Sequence, residues 1–478
     1  MDQESLYNIY NYINFFLLFY FALINIIYSL ALFFGIINTF TRRKEESVED
    51  YSTILSSDSL PAFSFIIPEY NESNKVINTI QNILNLSYRY KEIIVINDGS
   101  QDNSLQMMID AFNLLKIPKL YSDTLPTKPI KQLYQSKSYP SFRLIDKENG
   151  KKFDAMNAGL NACSTSFFIV VDADTLIDDI GFETLIRPIL SSPQTAGVGA
   201  SVRILAGATL EFNRIPTAKV PNQYLSAMQC LEYIRSFAMR QGWNWLGGNT
   251  VISGAFSIYR KDLILKVGGY SPTVAEDMEM VLRVRHILND AHTPYKLFYL
   301  PDPVAWTEGP CTLKELGKQR SAWHRGLIES LWYHKKMTLN PKYGVFGLFT
   351  FPFWIWGEAF EPVVEVFGIF LIIVSALFHF LNVQFFILWV LGIYGFTTLF
   401  TIATVLLEEF SYKKYSSIKS LIKLFLYCFI EGFMYRQLIL YWRCRGGVDF
   451  FKRFKEVQNE AALVRDLIKK SQKMGPLL

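Results

Sequence analysis

Apolar residues are gathered at the two ends of the chain. From Phe15 to Ile37 runs FFLLFYFALINIIYSLALFFGII, which carries no charge. About 20 such residues make a helix that spans the hydrocarbon core of a bilayer. A cleaved leader has a shorter apolar stretch behind a basic segment. Here the front is acidic (Asp2, Glu4) and the basic cluster Arg42-Arg43-Lys44 follows. The positive-inside rule then places the N-terminus outside and everything after Arg42 in the cytoplasm. Near Tyr343 a second apolar block begins. FGLFTFPFWIWGEAF, with Glu358, Glu361 and Glu365 in or just behind it, predicts an interfacial helix with its rings at headgroup depth. Spans are predicted at Val363–Phe380 and Phe385–Leu407. A third candidate, Leu421–Trp442, contains Lys423, Glu431 and Arg436, which are costly in lipid. The basic tail Arg443–Lys473 is expected in the cytoplasm, so the crossings must be odd in number and one C-terminal candidate must be interfacial.

The stretch between reads differently. FSFII (63–67), EIIVI (92–96) and FFIVV (167–171) are short continuous apolar runs separated by helix-like segments. That pattern predicts buried parallel strands of an α/β fold. Ile117–Pro140, with four prolines among lysines and tyrosines, predicts an exposed insertion or long loop. Four regions result: a transmembrane helix over 1–44, a cytoplasmic domain over 45–342, interfacial and transmembrane helices over 343–445, and a basic tail over 446–478.

Composition fits this division. The 478 residues are 50% hydrophobic and 19% charged, against roughly 25% charged in soluble proteins. The five cysteines never stand in CxxC spacing and the five histidines form no HExxH, which excludes a disulfide framework and the usual zinc sites. The net charge of +5 lies mostly beside the apolar segments, so a nucleic-acid partner is not expected.

Ligands of parallel sheets bind beyond the carboxyl ends of the strands. Three successive runs end in acidic groups: Pro68-Glu69-Tyr70-Asn71-Glu72, Asn97-Asp98-Gly99-Ser100 and Asp172-Ala173-Asp174. One alone reads equally as a cap or a turn; three together point to a site. The two carboxylates of Asp172-Ala173-Asp174 suit Mg²⁺ or Mn²⁺ bridging to a diphosphate. No glycine-rich phosphate loop is present, so metal and basic side chains must neutralise the diphosphate; Lys151 and Lys152 are the candidates, a solvated pair being the alternative.

FSFIIPEYNES, VINDGSQDNS, GKKFDAMNAGL, VVDADT, Glu276-Asp277 in VAEDMEM, and Gln319-Arg320-Ser321-Ala322-Trp323 resemble, in order and spacing, the family-2 membrane glycosyltransferases, relatives of cellulose, hyaluronan and poly-β-1,6-N-acetylglucosamine synthases. The resemblance covers about residues 60–330 and implies a GT-A-type, Rossmann-like mixed sheet flanked by transmembrane helices. It implies a UDP-sugar donor held by Pro68, Tyr70, Glu72, Asp98, Lys152, Asp154 and Asp172, and a metal on Asp174. Asp277, beside Glu276, matches the base that deprotonates the acceptor. Gln319, Arg320 and Trp323 would line the acceptor site, the indole stacking on a sugar. Gly254 suits a close approach of backbone to acceptor, or is a simple turn glycine. Ala322 departs from the family, which has an arginine there; Arg320 or Arg325 would have to compensate. Trp243, Trp245 and Trp306 read equally as sugar platforms or interface residues.

The function expected is an inverting transferase of the plasma membrane, extending a β-linked polysaccharide. A single-transfer lipid glycosyltransferase and a non-catalytic membrane scaffold are the alternatives. The acceptor is then an oligosaccharide or a lipid, membrane lipids surround the ends, and a small membrane partner subunit is expected because so few crossings enclose a channel poorly.

Overall fold

The computed structural model describes residues 3–46, 57, 60–119, 121, 123–211, 214, 215, 217–379, 381–415 and 417–471. Residues 47–56 of the expected cytoplasmic domain and 472–478 of the expected tail lie outside the described residues. Ten strands form one sheet: β1 (Phe63–Glu69), β2 (Lys91–Asn97), β3 (Leu114–Ile117), β4 (Ile130–Ser136), β5 (Phe142–Lys147), β6 (Phe167–Val171), β7 (Thr175–Ile177), β8 (Thr195–Ile204), β9 (Phe256–Arg260) and β10 (Lys296–Thr307), in the order β3-β4-β5-β2-β1-β6-β9-β8-β10-β7. The centre β5-β2-β1-β6 is parallel, and β9 runs antiparallel to both β6 and β8. The mixed α/β sheet expected from the apolar runs is therefore present. β1 and β2 are buried on both faces, which is why they read as continuous β-branched and aromatic runs.

Helices α1 (Gln3–Glu46), α2 (Ser73–Leu84), α3 (Ser104–Ala111), α4 (Lys152–Ala162), α5 (Asp179–Thr184), α6 (Ile186–Ser191), α7 (Tyr224–Trp245), α8 (Lys261–Lys266), α9 (Glu276–Asp290) and α10 (Leu313–Tyr333) are followed by α11 (Glu361–Leu377), α12 (Val383–Tyr412), α13 (Ile418–Glu431), α14 (Tyr435–Lys452) and α15 (Phe454–Ser471). The small residues Ala155, Ala158 and Ala162 let α4 lie buried close against the sheet. Ile24, Ala31 and Leu32 of α1 pack on Ala238, Met239 and Trp243 of α7. Arg203 at the end of β8 reaches Glu408 of α12 through two hydrogen bonds of 2.7 and 2.6 Å. The apolar ends are thereby fastened to the sheet domain by both packing and charge.

Three expectations are corrected. Ile117–Pro140 is not a loop throughout: it contributes β4, which pairs with β3 and β5 at the sheet edge, and buries Leu125, Leu133 and Tyr134. β4 is next to the edge strand β3 and only partly buried, which accounts for its polar residues. Leu421–Trp442 is not a continuous span. It is broken between α13 and α14, where Met434 has φ 59°. Lys423, Glu431 and Arg436 each find a protein partner there. The segment 346–359 is helical with π-type turns and bends by 42° into α11. Phe346, Phe351 and Phe353 turn inward, while Trp356 and Phe360 stay exposed, so only part of its aromatic set is free to face a bilayer. Among the described residues, two helices (Asn8–Lys44 and Phe386–Tyr412) are long and apolar enough to cross a membrane, or three if the bent pair is one span.

Candidate active site

The carboxyl ends of β1 and β2 are laced together. The buried Glu69 carboxylate accepts from the Glu72 amide (3.0 Å) and the Ser100 hydroxyl (3.0 Å). Asn71 takes φ 57° and its side-chain oxygen accepts from the Gln101 amide at 2.8 Å. Tyr70 is left exposed, Pro68 half-buried, and Glu72 pairs with Lys75 (3.0 Å), which also reaches Glu308 (3.1 Å).

Asp98 and Asp154 share a partner that the sequence pattern does not announce. Asp98 is buried and accepts from Lys147 Nζ (2.7 Å) and the Gly150 amide (2.9 Å). Lys147, wholly buried, also bonds Asp154 (2.6 Å). Asp154 further accepts from the Lys128 amide at 3.1 Å. Both carboxylates are thus held on one buried lysine, beside the turn that launches α4. Sequence reasoning missed Lys147. The available signal was FRLIDK, a strand whose end falls beside Asp98 once β5 is set next to β2.

Lys152, at the start of α4, does enter the site. Its ammonium lies 2.7 Å from Asp172 and 3.4 Å from Glu276, whereas Lys151 is exposed. Burial raises the Glu276 carboxyl, with Lys152 opposing and Asp277 adding to the rise. Asp174 accepts from Thr307 (3.0 Å); burial, with Asp172 nearby, pushes its carboxyl up to about 6. Asp277 stands in the first turn of α9, where the helix N-terminus favours negative charge. Its Oδ1 accepts from the Met278 amide at 2.8 Å. A Cβ on Gly254 would lie 2.7 Å from Asp277 Oδ2, so the glycine makes room for this carboxylate. That is a different reason for Gly254 than backbone approach to an acceptor.

Among the described residues no three ligand-type side chains gather as a metal cluster. Asp172 and Asp174 fit a hard cation that takes one or two carboxylates and completes its shell with water and substrate phosphates.

On α10, Trp323 is 48% exposed. The Arg320 guanidinium lies 4.2 Å from its ring centre and bonds Gln319 Oε1 (2.7 Å) and Glu232 (2.8 Å). Tyr435 donates to the same Glu232 at 2.6 Å. Of the two arginines that could stand in for the one missing at 322, only Arg320 shares the Trp323 side of the helix; Arg325 faces away and pairs with Glu329 (3.2 Å). Trp306 is core, Trp245 stacks on Phe34 (4.3 Å), and Trp243 packs on Phe353 (4.9 Å).

One cavity of about 1440 Å³ joins these groups. It runs from Lys152, Asp174 and Asp277 past Trp323 and on between α1, α11, α12 and α14. There its wall carries paired charges: Arg443 with Glu361 (2.7 Å), Arg436 with Glu365 (2.8 Å) and Arg235 with Glu431 (2.6 Å).

The sequence pattern of glycosyl transferase family 2 matches residues 64–268, and that of glycosyl transferase family group 2 matches residues 167–406, half of the chain. The poly-beta-1,6-N-acetyl-D-glucosamine synthase of Staphylococcus aureus (strain MSSA476) is 26% identical over 336 residues, 70% of this chain and 68% of that one. The synthase of the same name from Staphylococcus epidermidis is 28% identical over 275 residues, 56% of each. A mannosyltransferase from Pyrobaculum calidifontis, solved with GDP-Man and Mn²⁺, superposes over 86% of this chain and 98% of its own with a TM-score of 0.49 and 14% identity. Glucosyl-3-phosphoglycerate synthase from Mycobacterium tuberculosis, solved with Mn²⁺, UDP and phosphoglyceric acid, covers 60% of this chain and 82% of its own, with a TM-score of 0.37 and 15% identity. On a family-group match spanning half of its length, the protein belongs to glycosyl transferase family group 2 and is a glycosyltransferase with a GT-A-type sheet.

Proposed function

We propose that the protein is an inverting transferase of the plasma membrane that moves a sugar from a UDP-sugar to the end of a β-linked polysaccharide. The observation that carries this reading is the continuous cavity, which connects the strand-end carboxylates and Asp277 to a charge-lined passage between apolar helices. Ionisable side chains in such segments mark polar substrate paths.

In this reading Asp277 takes the proton of the acceptor hydroxyl as its oxygen attacks the anomeric carbon, and the bond from that carbon to the diphosphate breaks. An α-linked donor becomes a β-glycoside and UDP leaves. Asp174, with Asp172, would hold Mg²⁺ or Mn²⁺, which when bound neutralises the diphosphate. Lys152, resting on Asp172 and Glu276, adds positive charge where the leaving group develops its own. Trp323 offers an exposed indole face to the acceptor sugar. The catalytic domain then faces the cytoplasm, where UDP-sugars are made.

The test is UDP release from UDP-N-acetylglucosamine, UDP-glucose, UDP-galactose and UDP-glucuronate, followed by sizing of the product. The name of the staphylococcal relatives puts UDP-N-acetylglucosamine first. A long polymer supports the proposal; a single-sugar lipid replaces it by the lipid glycosyltransferase. Asp277→Asn should abolish transfer while UDP still binds, and full turnover in EDTA would remove the metal role of Asp174.

A further inference from the structure

Glu232 lies on the wall of the cavity and has no part in the reaction above. It stands on α7, half-buried, and two groups from other helices converge on one of its oxygens. The Arg320 guanidinium of α10 donates to Oε2 at 2.8 Å, and the Tyr435 hydroxyl of α14 donates to the same atom at 2.6 Å. Three helices far apart in sequence therefore meet on a single carboxylate. All three side chains line the cavity, and Trp323 lines it with them.

We infer, on the reading of Trp323 as the acceptor platform, that Glu232 is a positioning residue, which holds Arg320 against the indole and so fixes the surface on which the acceptor sugar stacks. The guanidinium lies 4.2 Å from the ring centre, while nearly half of Trp323 stays exposed. Residues three apart on a helix are neighbours on its surface, which lets Arg320 reach that ring. Arg320 is itself 3% exposed, and among the described residues Glu232 is the one carboxylate paired with it. Its bond to Gln319 Oε1 (2.7 Å) is to a neutral oxygen, and its buried Nε has no hydrogen-bond partner. A charged acceptor binds about twice as strongly as a neutral one. Removing the charge of Glu232 therefore takes away the main anchor and frees the guanidinium from the ring.

Tyr435 ties the same platform to the membrane end. It is buried and is the first residue of α14, directly after the break at Met434. α14 lies close against α10: a Cβ on Gly446 would stand 2.4 Å from the Ser321 carbonyl oxygen, and the Ser321 hydroxyl donates to the Trp442 carbonyl at 3.1 Å. Arg436 and Arg443 of this helix carry two of the ion pairs of the passage. The stacking surface and the passage wall thus share one helix, and Glu232 is where α7 grips both. The arrangement also answers the alanine at 322. A cation reaches the platform from 320 instead, and a carboxylate of another helix keeps it there.

The experiment uses the full chain in detergent, with UDP-N-acetylglucosamine as donor and a β-linked N-acetylglucosamine oligosaccharide as added acceptor. It measures acceptor KM, donor KM, kcat and product length. Glu232→Gln keeps the volume and an acceptor for Tyr435. It should raise acceptor KM by about ten-fold, the scale of a partly desolvated cation–ring contact, and shorten the product, with donor KM unchanged. Tyr435→Phe should move the same two readouts the same way, by less. Glu232→Gln/Arg320→Gln leaves no unpaired charge, so a merely structural defect would be relieved in it; a positioning role requires acceptor KM to stay high. Native acceptor KM and product length in Glu232→Gln overturn the inference. So does their recovery in the double variant, or a rise of donor KM in step with acceptor KM. Trp323→Ala tells the failures apart. If it too leaves acceptor KM native, the platform assignment has failed; if it raises acceptor KM while Glu232→Gln does not, the role of Glu232 alone is refuted.

Discussion

Lys147 offers the sharpest test of how the donor side is built. Its ammonium is wholly buried between Asp98 (2.7 Å) and Asp154 (2.6 Å), which are themselves 3% and 6% exposed. Lys147→Met keeps most of the volume and removes the charge, leaving two buried carboxylates facing each other. Breaking one buried pair in this way costs about 3–5 kcal/mol. Two carboxylates share this lysine, which pushes the cost up. Each also keeps a backbone donor, Gly150 for Asp98 and Lys128 for Asp154, which offsets part of it. The expected loss is therefore about 3–5 kcal/mol rather than twice that. It falls on the turn that carries Lys152 toward Asp172, so donor affinity should fall with stability. Thermal unfolding of the detergent-purified protein reads the first effect and UDP titration the second. The variant Lys147→Met/Asp98→Asn/Asp154→Asn, in which no charge is left unpaired, should recover much of both, since removing a whole buried network is far less costly than removing one member. The reasoning is refuted if Lys147→Met lies within about 0.5 kcal/mol of the native protein, the range of an ordinary surface substitution. It is equally refuted if the triple variant is no more stable than the single one.

Gly254→Ala would set a methyl 2.7 Å from Asp277 Oδ2. Steady-state kinetics should show kcat down by about a hundred-fold with donor KM unchanged, as for a displaced reacting group. Glu279, wholly buried, would be raised by burial alone, but Arg283 (3.0 Å), His334 and Ser271 hold its carboxyl down at about 2. A folded value below the usual unfolded value of about 4.3 contributes stability above pH 4 and loses it as pH falls toward 2. Acid titration of unfolding should therefore show the native protein losing about 2 kcal/mol more than Glu279→Gln between pH 4 and pH 2.

How much of this was legible in the chain depends on the distance between partners. β1, β2 and β6 could be read because a run such as EIIVI has no stable place except a sheet interior, and the residues after each run then fall at one edge of the sheet. Lys152, Asp172, Asp174, Glu276 and Asp277 line one cavity there. β4 and β5 could not be read the same way. IKQLYQS is buried over only part of its length, and FRLIDK, buried almost throughout, sets Arg143, Asp146 and Lys147 among its apolar residues, so neither forms a continuous apolar run. Missing β5 hid Lys147, and with it the tie between Asp98 and Asp154. The membrane end failed for a related reason. A hydropathy window counts Glu431 and Arg436 as liabilities, but their partners Arg235 and Glu365 stand 196 and 71 residues away, outside any window. The tail is the instructive case, because its signal was local and was overlooked. Counting lysines and arginines gives a basic tail and no more, while Val457, Ala461, Val464 and Ile468 recur at helical spacing on one face. An apolar stripe of that kind requires something to cover it, and it packs on α9 and α10, the two helices that carry Asp277 and Trp323. A charge count describes the solvent face of such a helix, and the period of its apolar residues describes what it does.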